Sequence, residues 1–451
     1  MKGIADEPQY SVGLLEGGTA LCDVIDNHIY EQTLCEKNAF FVADLGVIMR
    51  QHVRWRTHMA QIRPYYTVRC NSSPAVIEVL AALGTGFICT NKSELELVQS
   101  HSIPSEDIIY SAVCKQISQI KYAAKSGIDL LVCDNEVELR KIARCHPNAK
   151  LLIQVSTEAS TQDDDMSMAF GCSLKDCRHL LESAKALGVQ VVGVRSHISS
   201  SCDDDQMYIH VISDARCVFD MGEEIGFNMK ILDIGGGFSG SETQLEQINS
   251  AVMSMVDLYF PPSTGVSIIA EPGSYFVSSA FTLAVNIISK EAVARDRHDQ
   301  GHDDPSPNDE PEFQYYMNEG VYGSFSSKLT ETLIAVPSVH KNSALDTPVF
   351  SSSLWGPTGD DMDQVVEHCL LPELHVGDWL LFTHAGAYSL GQPVCTSSDS
   401  PPPPVYYVIS SRDWFEMQDT GVTQEATLKN FSLIPYFLNS CQTEAALSVP
   451  A

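Results

Sequence analysis

A (β/α)8 barrel followed by a mostly β domain is the fold that this sequence predicts, and three observations predict it. Short apolar β-type runs recur between residues 64 and 273, segments of helical period separate them, and beyond residue 280 the texture changes to aromatic and β-branched runs parted by turns. An open doubly wound sheet is the alternative, but its usual strand count is nearer about six. Eight strands with eight crossovers in so short a stretch suit a closed barrel.

The predicted strands, in order, are PYYTVRC (64–70), GFICTN (86–91), DIIYSA (107–112), LLVCD (130–134), KLLIQVS (150–156), VQVVGVRSHI (189–198), KILDIGGG (230–237) and VSIIAEPG (266–273). Between them, SPAVIEVLAALG, QISQIKYAAKSG, EVELRKIARCH, LKDCRHLLESAKALG and MYIHVISDARCVFDMGEEIG read as helices, several closed by a glycine just past the end. After the barrel, AFTLAVNIIS (280–289), FQYYMNEGVYGSF (313–325), DWLLFTHAGAYS (378–389) and PPVYYVISS (403–411) read as the β domain. AFFVADL (39–45) is a further strand ahead of the barrel, so segment 1–45 is expected to join that domain and make it discontinuous. The expected divisions are then 1–45, the barrel 46–279, the β domain 280–420 and a C-terminal tail 421–451, with loop-like composition at 296–312 and 396–404.

Composition narrows the function. The chain of 451 residues carries a formal net charge of −30, which opposes binding to nucleic acid or to an anionic membrane surface. No apolar run reaches the ~20 residues that span a bilayer, and MKGIADEPQY has no apolar h-region, so neither a membrane span nor secretion is expected. The 14 cysteines lack metal spacing and suit reduced thiols, so the expected location is cytoplasmic, with the nucleus as a second compartment. No metal is expected. Residues 115–150 stand apart: seven basic side chains face four acidic ones, a window of +3 in an otherwise acidic chain. By composition alone these are ordinary solvated helix faces.

LDIGGGFSG (232–240) places three glycines at the end of the seventh strand, where bare backbone N–H groups can approach an anion. Together with EPGSYF (271–276), SHISSSC (196–202), WGPTGDDMD (355–363), GVYGSF (320–325), CKQISQIKYAA, SDARCVFDMG, SSSLWGP and LPELHVGDWL, this glycine turn closely resembles eukaryotic ornithine decarboxylase and its antizyme inhibitor offshoots, over nearly the whole chain. The resemblance implies a barrel of the alanine racemase/ornithine decarboxylase type. In the enzyme, pyridoxal phosphate sits at the barrel mouth, and each site borrows groups from a partner subunit's β domain.

Position by position, the resemblance implies lost chemistry. Arg69 matches the lysine that forms the imine with the cofactor, and a guanidinium, protonated up to a pKa above ~12, offers no nucleophilic lone pair. Ile88 matches an acid near the cofactor, Ser274 a phosphate-clamping arginine, and Gly359 the thiol that controls protonation after carbon dioxide leaves. Glu331 and Asp360 match the acids of the substrate-amine pocket. Vestiges of the cofactor site would be His197 against the ring, Ser200, Gly235, Gly236, Gly237 and Tyr388 at the phosphate, and Glu271 at the pyridine nitrogen. His197 reads equally well as a packing residue at the barrel end, and the glycines as inherited backbone geometry. Arg69 is expected to fill the lysine's cavity as a cation, paired with Glu271 or a solvent anion. Cofactor binding is therefore expected to be lost.

The implied role is a non-catalytic regulator that sequesters antizyme and so spares ornithine decarboxylase, raising polyamine synthesis and uptake. The alternative is a divergent pyridoxal-dependent amino-acid decarboxylase, against which Arg69, Ser274 and Gly359 weigh together. The family's antizyme-binding surface maps onto the basic window, through Lys115, Lys121, Lys125, Glu136, Glu138, Arg140, Lys141 and Arg144. The enzyme's dimer contacts look broken: Asp134 keeps its acid while Ala169 replaces its lysine partner, Thr330 replaces a stacked tyrosine, and Glu291 reverses a charge near Asp363. A monomer or weak homodimer is expected.

Overall fold

In the computed structural model, the residues described are 10–33, 37–156, 171–196, 198, 206–238, 242–293, 311–329, 335–340, 347–390, 402–419 and 431–438. The chain divides into two compact units, Val47–Ser278 with Met417–Lys429, and Met1–Gly46 with Ser279–Glu416 and Asn430–Ala451.

All eight expected barrel strands form and close into one parallel barrel: Ile62–Thr67, Gly86–Cys89, Ile108–Tyr110, Leu130–Cys133, Lys150–Val155, Gln190–Ser196, Ile231–Asp233 and Ser267–Ala270. They run in chain order around the barrel, the eighth pairing with the first. Inward side chains from six of these strands, Tyr65, Ile88, Ile109, Val132, Leu152 and Ile269, pack into a filled centre. Gly86 lies opposite Tyr65, and a Cβ there would sit 2.4 Å from the phenol ring, so the glycine makes room for a large inner residue.

Helices with local stop and start signals fill the crossovers. The Asn91 side chain accepts from Glu94 N, that of Asn135 from Glu138 N and that of Ser173 from Asp176 N, capping Lys92–Ser100, Glu136–Cys145 and Leu174–Ala186. Strands end earlier than the sequence suggests. The first stops at Thr67, and Val68–Cys70 form a 3-10 turn that buries Val68 and Cys70 and points Arg69 outward.

The other unit is built on a sheet of ten strands among the described residues. Its long central strand, Phe281–Val293, pairs with Phe40–Asp44, which in turn pairs with Val405–Ser410, so the segment ahead of the barrel is part of this sheet. Tyr10–Leu15 pairs with Val405–Ser410 on one side and with Phe431–Pro435 on the other. The expected tail at 421–451 thus contributes a strand. Helix Leu21–Thr33 buries Val24, Ile25 and Ile29 against Phe40, Val42, Trp379 and Val408.

Candidate functional site

The C-terminal ends of the barrel strands carry Arg69, Ile88, the glycine turn 235–237, Glu271 and Ser274. Arg69 is exposed and has no ion-pair partner among the described residues. The expectation was that it fills the lysine's cavity, paired with Glu271 or a solvent anion; the cavity and the Glu271 pairing are corrected, because the short turn after the first strand swings it to the surface and Glu271 belongs to another cation. Ile88 is 1% exposed and part of the barrel's inner layer, so an aliphatic side chain there contributes packing. Ser274 Oγ lies 3.8 Å from Cys70 Sγ, at the start of the short helix Gly273–Val277.

The glycine turn follows the seventh strand. Gly235 has φ +80°, and a Cβ on it would lie 2.5 Å from the Ser196 carbonyl oxygen, so no other residue fits without displacing the sixth strand. Glu271 N donates to Gly235 O at 2.8 Å and Tyr208 Oη to Gly236 O at 2.6 Å, which stitches the turn to the eighth strand's end and to helix Gln206–Ile225. Gly237 is also left-handed. His197, Ser200 and Glu331 lie outside the described residues.

Beside this turn is a buried charge network that the sequence reading missed. Arg195, on the sixth strand, donates from Nε to Glu271 Oε1 at 2.6 Å, from Nη2 to Glu271 Oε2 at 3.0 Å and from Nη1 to Gln154 Oε1 at 2.5 Å. Its Nε is also 3.7 Å from Asp233 Oδ2. Asp233 is fully buried, its Oδ1 accepting from Gly235 N at 2.9 Å and its Oδ2 having no hydrogen-bond partner among the described residues. Burial, then the Glu271 charge, pushes the Asp233 carboxyl well above the usual carboxylate range, while burial opposes the charge on the Arg195 guanidinium and the Glu271 carboxylate more than offsets it. The signal was available as the one charged residue in the apolar run VQVVGVRSHI.

In the sheet unit, Gly359 is left-handed at φ +70°, with open space where a side chain would be. Asp360 accepts from Tyr322 Oη at 2.9 Å and from Met362 N at 3.0 Å, and these hydrogen bonds, the backbone one first, lower its pKa. Tyr388 is a non-glycine residue at φ +56°. Asp363 is 1% exposed and accepts from Val321 N, 42 residues away, and from Thr358 N and Thr358 Oγ1 in its own loop. It is therefore occupied internally. Asp134 accepts from Asn135 Nδ2 at 2.7 Å and Glu291 is exposed, while Ala169 and Thr330 lie outside the described residues.

The basic window forms helices Ile117–Lys125 and Glu136–Cys145. Lys121, Lys125, Arg140 and Arg144 are exposed, Glu136 and Lys141 half-buried, and Arg140 meets Glu136 at 2.8 Å. Exposed apolar side chains, Ile117 at 51% and Val137 at 68%, sit at the two helix N-termini. Two predicted surface residues are corrected. Lys115 is 3% exposed and Glu138 4%, because Lys115 spends its ammonium on carbonyls and Glu138 accepts from Lys115 N at 3.2 Å and pairs with Lys141.

A parallel barrel with this mouth, joined to a β-sheet unit, defines a class of pyridoxal-dependent proteins. Residues 45–278 match the family described as pyridoxal-dependent decarboxylase, pyridoxal binding domain, and the chain belongs to that family. Among curated relatives it is similar to antizyme inhibitor 1 of Pongo abelii, 56% identical over 445 residues, 99% of each chain. It is also similar to ornithine decarboxylase of Mus musculus, 44% identical over 446 residues, 97% of this chain and 95% of that one. Among solved structures it resembles the Paramecium bursaria Chlorella virus arginine decarboxylase bound to agmatine, 28% identical with TM-score 0.75, over 86% of this chain and all of that one. Among the described residues no helix is long and apolar enough to cross a membrane and no group of side chains forms a metal site.

Proposed function

We propose that this chain is a non-catalytic regulator that binds antizyme and thereby spares ornithine decarboxylase. One observation carries the reading: a chain resembling antizyme inhibitor 1 along 99% of its length has an arginine, Arg69, at the position matched to the imine-forming lysine. Pyridoxal phosphate supplies an electron sink when it is bound, but the residues here do not fit it. Arg69 cannot condense with an aldehyde, Ser274 offers one hydroxyl where a bidentate clamp is needed, and both Glu271 oxygens are held by Arg195. Cofactor binding is lost on this reading, and the remaining glycines keep the fold.

The antizyme surface is the exposed face of Ile117–Lys125 and Glu136–Cys145. Lys121, Lys125, Arg140 and Arg144 supply charge for an acidic partner, and Ile117 and Val137 supply apolar anchors. With a net charge of −30 opposing self-association, the chain acts as a monomer or weak dimer, in the cytoplasm with nuclear access, and without nucleic acid. Capture of purified antizyme in competition with active ornithine decarboxylase tests the reading. The chain displaces the enzyme if it is right, and failure to compete at any ratio refutes it.

A further inference from the structure

We propose that Arg195 is an internal counter-cation that locks Glu271, closing this buried carboxylate at the end of the eighth barrel strand to any cationic ring ligand. The proposal rests on the reading above that Glu271 is the carboxylate facing a pyridine ring in pyridoxal-dependent relatives.

The geometry is that of a completed ion pair. Arg195 is 6% exposed and Glu271 8%, and the planar guanidinium meets both carboxylate oxygens, which is the fork geometry that a lysine or a single ring N–H cannot reproduce. The third donor is used on Gln154, itself 5% exposed. A ring cation arriving at Glu271 would have to displace a buried, doubly bonded guanidinium and leave it without a carboxylate. Breaking such a pair costs several times what a surface pair is worth.

One guanidinium sits between two acids, Glu271 and Asp233, and the charge balances when Asp233 holds a proton. Among the described residues, Gln154 from the fifth strand accepts from Arg195 and Tyr65 from the first interacts electrostatically with Asp233, and both are neutral near pH 7. Without Arg195, both carboxyls would bind protons more tightly folded than unfolded. Stability would then fall as pH rises above the ordinary carboxylate range.

The test uses the full chain with Arg195→Met and Arg195→Met/Glu271→Gln, melted at pH 5.5 and 7.5. A parallel titration uses pyridoxine 5′-phosphate, which carries the ring and phosphate but no aldehyde. The single variant should melt about 10 °C lower at pH 7.5 and lose clearly less at pH 5.5. The double variant should recover most of the loss and flatten the pH dependence, and the unaltered chain should show no saturable binding of pyridoxine 5′-phosphate. A pH-independent loss, or a double variant that stays as unstable as the single or fails to fold, overturns the lock and leaves the loss of cofactor standing. Saturable binding by the unaltered chain overturns both.

Discussion

Lys115 Nζ donates to the Val132 carbonyl oxygen at 2.5 Å, in a buried position rather than at the surface. A second bond runs to Ala112 O at 2.7 Å, and the Lys115 carbonyl in turn accepts from Lys141 Nζ at 2.8 Å. This lysine ties the loop after the third strand to the end of the fourth, so its loss should be felt in stability. Lys115→Met is expected to cost about 2 kcal/mol, from two carbonyls that lose a charged donor. Burial lowers the Lys115 pKa. The unfolded chain therefore keeps this proton to higher pH than the folded one, and the charged lysine's penalty in the folded chain shrinks as pH rises. Urea titrations at pH 7 and 9.5 should show the gap between variant and parent widening at the higher pH. Antizyme capture by the folded variant should match the parent.

Charge reversal on the exposed face should act oppositely. Lys121→Glu, Lys125→Glu, Arg140→Glu and Arg144→Glu together should weaken antizyme capture at least about tenfold, while the melting temperature moves little, since these side chains are exposed. The difference should be larger at 50 mM than at 300 mM salt. Unchanged affinity in the folded quadruple variant would place the binding surface elsewhere. Ile117→Ser with Val137→Ser should weaken capture without changing its salt dependence.

Arg69→Lys alone is expected to restore no turnover. The new amine could condense with an aldehyde, which the arginine cannot, but Ser274, Gly359 and the Arg195 pair at Glu271 are unchanged. Spectra with pyridoxal phosphate before and after borohydride, together with an assay of carbon dioxide release from ornithine, decide this. Release above the unaltered chain would show that the other substitutions were overrated.

His52 should make the barrel unit acid-sensitive. It is 4% exposed, with its ring 6.3 Å from that of Phe276, and burial, then the nearby Arg56 charge, lowers its pKa to about 4. The unfolded chain binds this proton near pH 6.5 and the folded chain only near 4. Stability is thus complete above 6.5 and falls between the two values, by about 3 kcal/mol. In urea titrations from pH 7 to 4.5, His52→Gln should show a shallower loss than the parent.

Assembly can be read from sedimentation. Asp363 is buried and already hydrogen-bonded by Val321 N, Glu291 is exposed and the chain carries −30, so at micromolar concentration the expected species is a monomer that dimerises only weakly as salt rises. A dimer that persists on dilution at low salt would reverse this expectation.

The barrel was legible because each strand carries its own signal. Runs such as LLIQV are apolar enough to demand burial on both faces, and caps such as Asn91 and Asn135 are set by neighbours three residues away. The chemical character of position 69 was legible too, since an arginine forms no imine with an aldehyde wherever its side chain points. Strand ends were less legible, because the turn at Val68–Cys70 depends on which side chains the barrel accepts.

By itself, then, the sequence determined the eight barrel strands, the sheet unit built from both sides of the barrel segment, and the absence of an imine lysine at position 69. Only the tertiary structure decided which charges face water. Arg195 and Glu271 are 76 residues apart and meet because strands six and eight flank strand seven, and Lys115 and Glu138 turn inward because carbonyls and a backbone N–H across two crossovers need partners there. Phe431–Pro435 becomes a strand because Tyr10–Leu15 offers it an edge. Composition reports that a side chain is charged, but its burial and its counter-ion are properties of segments far apart in the chain.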